Sequence, residues 1–131
     1  MTWVLDTNTL IYFLRGRGNV AETMLSVPPA EVAIPAIVVY ELEVGILKSR
    51  DSEKRTGQLN AILDASRVLP FDRSCARAAA EIRAELERDG APIGPVDVLI
   101  AATAIAHNAV LVTHNVDEFS RVSRLQVTDW Y

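Results

Sequence analysis

The chain has 131 residues, half of them apolar and 23 % charged, with a net charge of −4. This is enough chain for one core, and the composition excludes wholesale disorder, collagen-like sequence and a disulfide scaffold. The acidic balance argues mildly against a nucleic-acid partner, but eleven of the thirteen cations are arginine, which grips phosphate bidentately.

Trp3-Val4-Leu5 is a short apolar run that predicts a strand ending at Asp6. Asn8 to Leu14 and Val20 to Val27 read as short helices, the second closed by Pro28-Pro29. Val32-Ala33-Ile34 predicts a second strand. Pro35 then stands at the start of a helix over Ala36 to Lys48. Ser52 to Ser66 places Leu59, Ile62 and Leu63 on one helical face. Val68-Leu69-Pro70-Phe71 reads as a strand shortened by its proline. Ser74 to Asp89 predicts a helix capped by Ser74 and stopped at Gly90, with Ala78, Ile82 and Leu86 as its buried stripe. Pro95 to His107 is apolar after Asp97, a buried helix that Asn108 can end. Val110 to Thr113 is the clearest strand, and Leu125 to Thr128 a weaker edge strand. No repeat or linker interrupts the pattern, so residues 1–131 read as a single domain.

Strands alternating with helices predict an α/β fold, a mainly parallel central sheet flanked by helices in three layers. Ligands of such sheets gather beyond the carboxyl ends of the strands. Asp6 lies at such an end, between two apolar segments, although it also suits a helix cap. Glu41 interrupts the apolar stretch Ile37 to Leu42, while Glu43 falls about 200° around the helix and faces solvent. Asp97 precedes a long buried run, although an acid in a first helical turn is also favoured by the dipole. Asn115, Asp117 and Glu118 follow the strand ending at Thr113, with Asn115 able to cap a short helix to Phe119. Carboxylates held close repel one another, and a divalent cation relieves that repulsion. Oxygen donors without a His or Cys cluster suit Mg²⁺ or Mn²⁺, the equipment of phosphodiester hydrolysis.

These residues carry a resemblance. Val4-Leu5-Asp6-Thr7-Asn8, Glu41-Leu42-Glu43-Val44-Gly45, Leu69-Pro70-Phe71-Asp72, Asp97-Val98-Leu99-Ile100-Ala101-Ala102 and Val112-Thr113-His114-Asn115 with Phe119 occur in that order over nearly the whole chain. The chain thereby resembles the PIN-domain family, and within it the VapC-type ribonuclease toxins of toxin–antitoxin pairs. The resemblance implies a PIN-like fold and an endoribonuclease dependent on Mg²⁺ or Mn²⁺. The substrate would be structured RNA, often tRNA. By position, Asp6, Glu41 and Asp97 match the family's metal-holding acids. Asn115 stands where many relatives carry Asp and is the fourth catalytic candidate, as a neutral ligand or a water-positioner, with Asp117 or Glu118 as possible additional ligands that supply the missing charge. Thr7, Asn8 and Thr113 match positions that hold the carboxylates in place. The resemblance also implies a cognate antitoxin and a homodimer, while the lone cysteine and the absence of an export signal point to a cytoplasmic protein. The antitoxin would lie in a groove between the early helices, near Leu10 to Leu14, and send a basic side chain into the acids.

Arg15 and Arg17 are candidate RNA contacts or a solvated turn, and His114 a candidate phosphate contact or a bystander. Trp3, Trp130 and Tyr131 are expected to pack a sheet edge or interface. Cys75, the lone cysteine, is expected in the core; it permits no internal disulfide, and with an N-terminus unlike a signal peptide it fits a reducing compartment. No apolar run reaches the roughly 18 residues of a membrane span. A phosphoryl-accepting receiver domain would need a lysine after a late strand, and the only lysines, Lys48 and Lys54, are mid-chain, which argues against it. A catalytically weak PIN-like scaffold or RNA-binding module remains the second reading because of Asn115.

Overall fold

The computed structural model describes all residues, Met1–Tyr131. Five strands form one parallel sheet: β1 (Trp3–Leu5), β2 (Val32–Pro35), β3 (Arg67–Leu69), β4 (Val110–Val112) and β5 (Val127–Thr128). Their spatial order is β3-β2-β1-β4-β5. β1 is therefore central, with Val4 opposite Ala33 on one side and Leu111 on the other. The chain leaves β1 toward β2 and β3, then returns to its other side as β4. The reversal puts a crevice at the carboxyl ends of β1 and β4, where doubly wound sheets bind ligands. Val4, Leu5, Ala33, Ile34, Leu111 and Val112 are fully buried, as expected for a parallel sheet covered on both faces.

Seven helices flank the sheet: α1 (Thr7–Arg15), α2 (Val20–Ser26), α3 (Ala36–Leu47), α4 (Ser52–Ala65), α5 (Arg73–Arg88), α6 (Pro95–Ala106) and α7 (Val116–Phe119). A single 3₁₀ turn at Pro29–Glu31 precedes β2 and has no counterpart in the sequence reading. The buried faces follow the sequence periodicity: Ala78, Ile82 and Leu86 of α5, and Leu59 and Ile62 of α4. None of the helices is long and apolar enough to cross a membrane.

Several boundaries have local causes. α1 ends at Gly16 and α6 is followed by Asn108, both left-handed, with φ of 65° and 51°. β3 ends before Pro70, which cannot donate to the ladder. The cap of α5 corrects the expectation for Ser74. Asp72 is the cap: its Oδ1 accepts from the Cys75 amide at 3.1 Å and from the Ser74 hydroxyl at 2.7 Å. Those two donors, the hydroxyl first, hold the Asp72 carboxyl down at about 2. Ser74 loses the role because it already lies inside the first turn, where its hydroxyl reaches back to the true cap. Cys75 is buried, as expected.

Trp3 packs on Trp130 with ring centroids 5.6 Å apart. Tyr131 closes over the loop between α1 and α2, its main-chain oxygen accepting from the Asn19 amide at 2.7 Å. Gly18 makes that closure possible: its φ is 61°, and a Cβ there would lie 2.7 Å from the Tyr131 oxygen. We expect Gly18→Ala to cost at least about 1–2 kcal/mol from backbone strain alone, seen as a lower midpoint in urea. An unchanged midpoint would mean that the loop shifts away from Tyr131 freely.

Candidate active site

Asp6 follows β1 and is almost wholly buried. It caps α1, its Oδ1 accepting from the Thr9 amide at 2.9 Å. Thr9 is fixed in turn by a hydroxyl bond to the Val112 carbonyl at 3.1 Å, which ties α1 to β4. Burial pushes the Asp6 carboxyl up, and the nearby Glu41 carboxylate adds to that. The Thr113 hydroxyl and the Thr9 hydroxyl and amide oppose it. The capping and functional readings of Asp6 are thus compatible: one oxygen caps α1 while the group stays inside an acidic cluster.

Glu41 projects from α3 toward α1, where the Thr7 hydroxyl donates to its Oε1 at 2.5 Å. This is the short distance of a charge-assisted bond. Glu43, one residue beyond Leu42, is exposed as expected. Asp97 sits in the first turn of α6, which starts on Pro95. Its carboxyl is pushed up to about 6, first by burial, then by the charge of Glu118 and a hydrogen bond to it, with Asp6 and Glu41 adding repulsion. Glu118 is held below its ordinary range because the Gly94 amide donates to Oε1 at 3.0 Å and Asn115 Nδ2 to Oε2 at 2.7 Å. At Gly94 an added Cβ would sit 3.2 Å from an Asp97 oxygen, so the chain passes close beneath both acids.

The structure therefore brings together Asp6, Glu41, Asp97 and Glu118 at the crevice beside β1 and β4. Asn115 is directed at Glu118, and its own amide is held by the Thr113 hydroxyl at 3.0 Å. Asp117, on the same short helix, is exposed and makes no side-chain hydrogen bond or ion pair. Asn8 is exposed too and touches no carboxylate through a hydrogen bond. Thr9, one residue on, does that work, and the sequence reading missed it. The available signal was its position three residues after a capping acid, where the first free helix amide lies. His114 is paired to Asp129 at 2.8 Å and stacked on Tyr131 with centroids 4.2 Å apart. Arg17 is exposed, whereas Arg15 lines a cleft between α1, α3 and α4 that also contains Glu41.

A profile for the PIN domain matches residues 3–125. Ribonuclease VapC2 of Rickettsia felis is 36 % identical over 132 residues, covering 99 % of this chain and 98 % of that one. The tRNA(fMet)-specific endonuclease VapC of Salmonella typhimurium is 32 % identical over 130 residues, with the same coverage. The crystal structure of VapBC2 from Rickettsia felis bound to a DNA fragment from its promoter matches with a TM-score of 0.92 at 34 % identity, over the whole of both chains. The strand order and helical layers are thus those of a PIN domain. The chain belongs to the PIN-domain family, among the VapC ribonucleases.

The donor set fits a hard divalent cation. It is all oxygen, and the repulsion that raises Asp6 and Asp97 is what a cation removes. The side chains do not form a ready-made cage of three acids, so binding would require them to draw inward. Asp6 and Asp97 have folded values above the ordinary ones, so their contribution is present at low pH and lost as pH rises through about 6 for Asp97. Glu118 has the opposite sign, but its contribution is lost only below the ordinary glutamate range. The cation-free protein should therefore melt higher at about pH 5 than at about pH 7.5, and Mg²⁺ or Mn²⁺ should raise the melting temperature most at the higher pH. Calorimetry with EDTA and with each cation checks this. Melting that ignores both pH and cation would remove the electrostatic basis of the site.

Proposed function

We propose that this protein is a metal-dependent endoribonuclease, the toxin of a toxin–antitoxin pair, hydrolysing phosphodiester bonds in structured RNA such as tRNA. The observation that carries this reading is the meeting of Asp6, Glu41, Asp97 and Glu118 at the crevice of a VapC-family fold. Asp6 and Asp97 would hold Mg²⁺ or Mn²⁺, with Glu41 and Glu118 completing the set. A divalent cation bound there supplies activation of water and stabilisation of the leaving oxygen. The chain's own groups do the rest. Thr7 fixes Glu41, and Thr9 and Thr113 fix Asp6. Asn115 and the Gly94 amide aim Glu118 toward Asp97, which makes Asn115 a positioning residue and Glu118 the fourth acid. Before a cation enters, Asp97 holds a proton more readily than an ordinary aspartate. Products with 5′-phosphate and 3′-hydroxyl ends are expected.

The Salmonella relative is named for tRNA(fMet), which makes initiator tRNA the first substrate to offer. Total cellular RNA incubated with Mn²⁺ should lose one or a few tRNA species as discrete fragments. Uniform degradation of messenger and ribosomal RNA would contradict the structured-RNA reading. The solved relatives include toxin–antitoxin complexes, and a similar partner is proposed here. The cleft between α1, α3 and α4 has Ile11, Leu14, Leu42, Ile46 and Leu59 on its walls and reaches Glu41. It offers an apolar bed for an antitoxin segment whose basic side chain could enter the acids. Co-purification with the product of the neighbouring gene tests this, and no stable complex would count against it. Tyr40 and Leu47, exposed and seven residues apart on α3, lie on one face and support a homodimer.

A further inference from the structure

The net charge of −4 hides an uneven distribution. The arginine ion pairs lie on α5 or at its end, at Arg77–Glu81, Arg83–Glu87 and Arg88–Asp89. The others join the N-terminus to Glu31 and His114 to Asp129. The remaining arginines and both lysines make no ion pair, and several of them converge beside the acid cluster. Arg15 ends α1, while Lys54 and Arg55 lie in the first turn of α4, far away in sequence. The fold places all three around one shallow depression with Leu14, Asp51 and Gln58. Arg15 and Arg55 also line the cleft that contains Glu41. On the far side of Lys54, Arg50 borders the next depression. All four are exposed. Asp51 and Glu53 are the acids nearby, and neither pairs with them. A run of free cations thus leads from the turn between α3 and α4 to the acid cluster.

We propose that Arg15, Lys54 and Arg55 form a phosphate-backbone subsite, which takes the RNA strand beside the bond being cut. The proposal rests on the ribonuclease reading and adds where the rest of the substrate lies. Exposed cations without ion-pair partners give up little when they turn to a phosphate, and each phosphate neutralised releases condensed counterions. Arginine at two of the three positions permits bidentate contacts. The subsite also eases the mismatch between an acidic protein and a polyanionic substrate, because it sets unpaired bases beside the acids that would hold the cation.

The test is binding of bulk tRNA by the full chain in EDTA, which prevents cleavage, across a salt series. Wild type, Lys54→Gln/Arg55→Gln, Lys54→Arg and Arg77→Gln/Arg83→Gln are compared, each with its melting curve to confirm folding. The slope of log affinity against log salt should fall by about 1.5 in the first double variant, from roughly 0.7–0.9 per lost contact. It should hold for Lys54→Arg and for the pair on α5. With Mn²⁺, the Lys54/Arg55 variant should show a raised KM with kcat retained. If wild type cleaves RNA and the slope is the same in all variants, the subsite is wrong while the ribonuclease reading stands. Loss of affinity for a protein antitoxin with no change toward RNA would give the surface to that partner and overturn the proposal. Wild type that neither binds nor cleaves any RNA would overturn both.

Discussion

Asp97→Asn is expected to lower RNA cleavage by about two to three orders of magnitude, the range for removing one preorganised electrostatic group, while leaving the fold at least as stable as wild type. The two effects have one cause. Asp97 is repelled by Glu118, Asp6 and Glu41 in the cation-free protein, so removing its charge relieves strain that exists to hold a cation. Asparagine keeps the shape and can still donate to Glu118. Asp6→Asn should behave alike, because asparagine also caps a helix well. Asp6→Ala should lose the same activity and about 1 kcal/mol of stability besides, since the Thr9 amide loses its acceptor. Asp117→Asn serves as the comparison, because its exposed side chain joins neither network. It should retain wild-type cleavage. Denaturant melts beside single-turnover cleavage assays separate the outcomes. Unimpaired cleavage by Asp97→Asn would remove the acid cluster from the chemistry.

Phe119→Ala should cost about 3–5 kcal/mol, the range for emptying a large buried aromatic site. Phe119 is among the largest fully buried side chains. It closes α7, a helix of four residues, too short to persist on its own backbone bonds. Its burial is what keeps Glu118 and Asn115 in place above Gly94. The variant should therefore lose cleavage even under conditions in which most molecules remain folded, because Glu118 would no longer be held. A urea melt gives the stability term, and cleavage well below the midpoint gives the positional one. Full activity in a destabilised variant would show that Glu118 needs no support from α7.

Much of this was legible in the sequence because its causes are local. Apolar runs ended by Asp6, Pro35 and Thr113 mark strands of a covered parallel sheet, and the α5 stripe of Ala78, Ile82 and Leu86 marks its buried face. Asp6 and Asp97 stand out because a carboxylate beside a buried run needs a partner or an ion. The rest depends on contacts between distant residues. Locally only the i to i+3 spacing from Asn115 favours Glu118 over Asp117; the choice is completed by the Gly94 amide, contributed from before α6. Thr9 outranks Asn8 because its hydroxyl meets the Val112 carbonyl across the sheet. His114 is drawn toward Asp129 and Tyr131, residues that come near only when β5 pairs with β4. Lys54 and Arg55 gave no functional signal in a helix that reads as ordinary. They gain one only where α4 packs beside the end of α1.

The most direct measurement is the cation requirement and end chemistry of RNA cleavage, made on partner-free protein shown to be folded. A tRNA pool is incubated with Mg²⁺, with Mn²⁺ and with EDTA, and the fragment ends are determined. Discrete fragments that need a divalent cation and carry 5′-phosphate and 3′-hydroxyl ends are the expected result, since water attack at a cation site breaks the bond to the 3′ oxygen. Fragments that form equally in EDTA and end in 2′,3′-cyclic phosphate, or no cleavage under any cation, would contradict the account and leave the four acids without a chemical role.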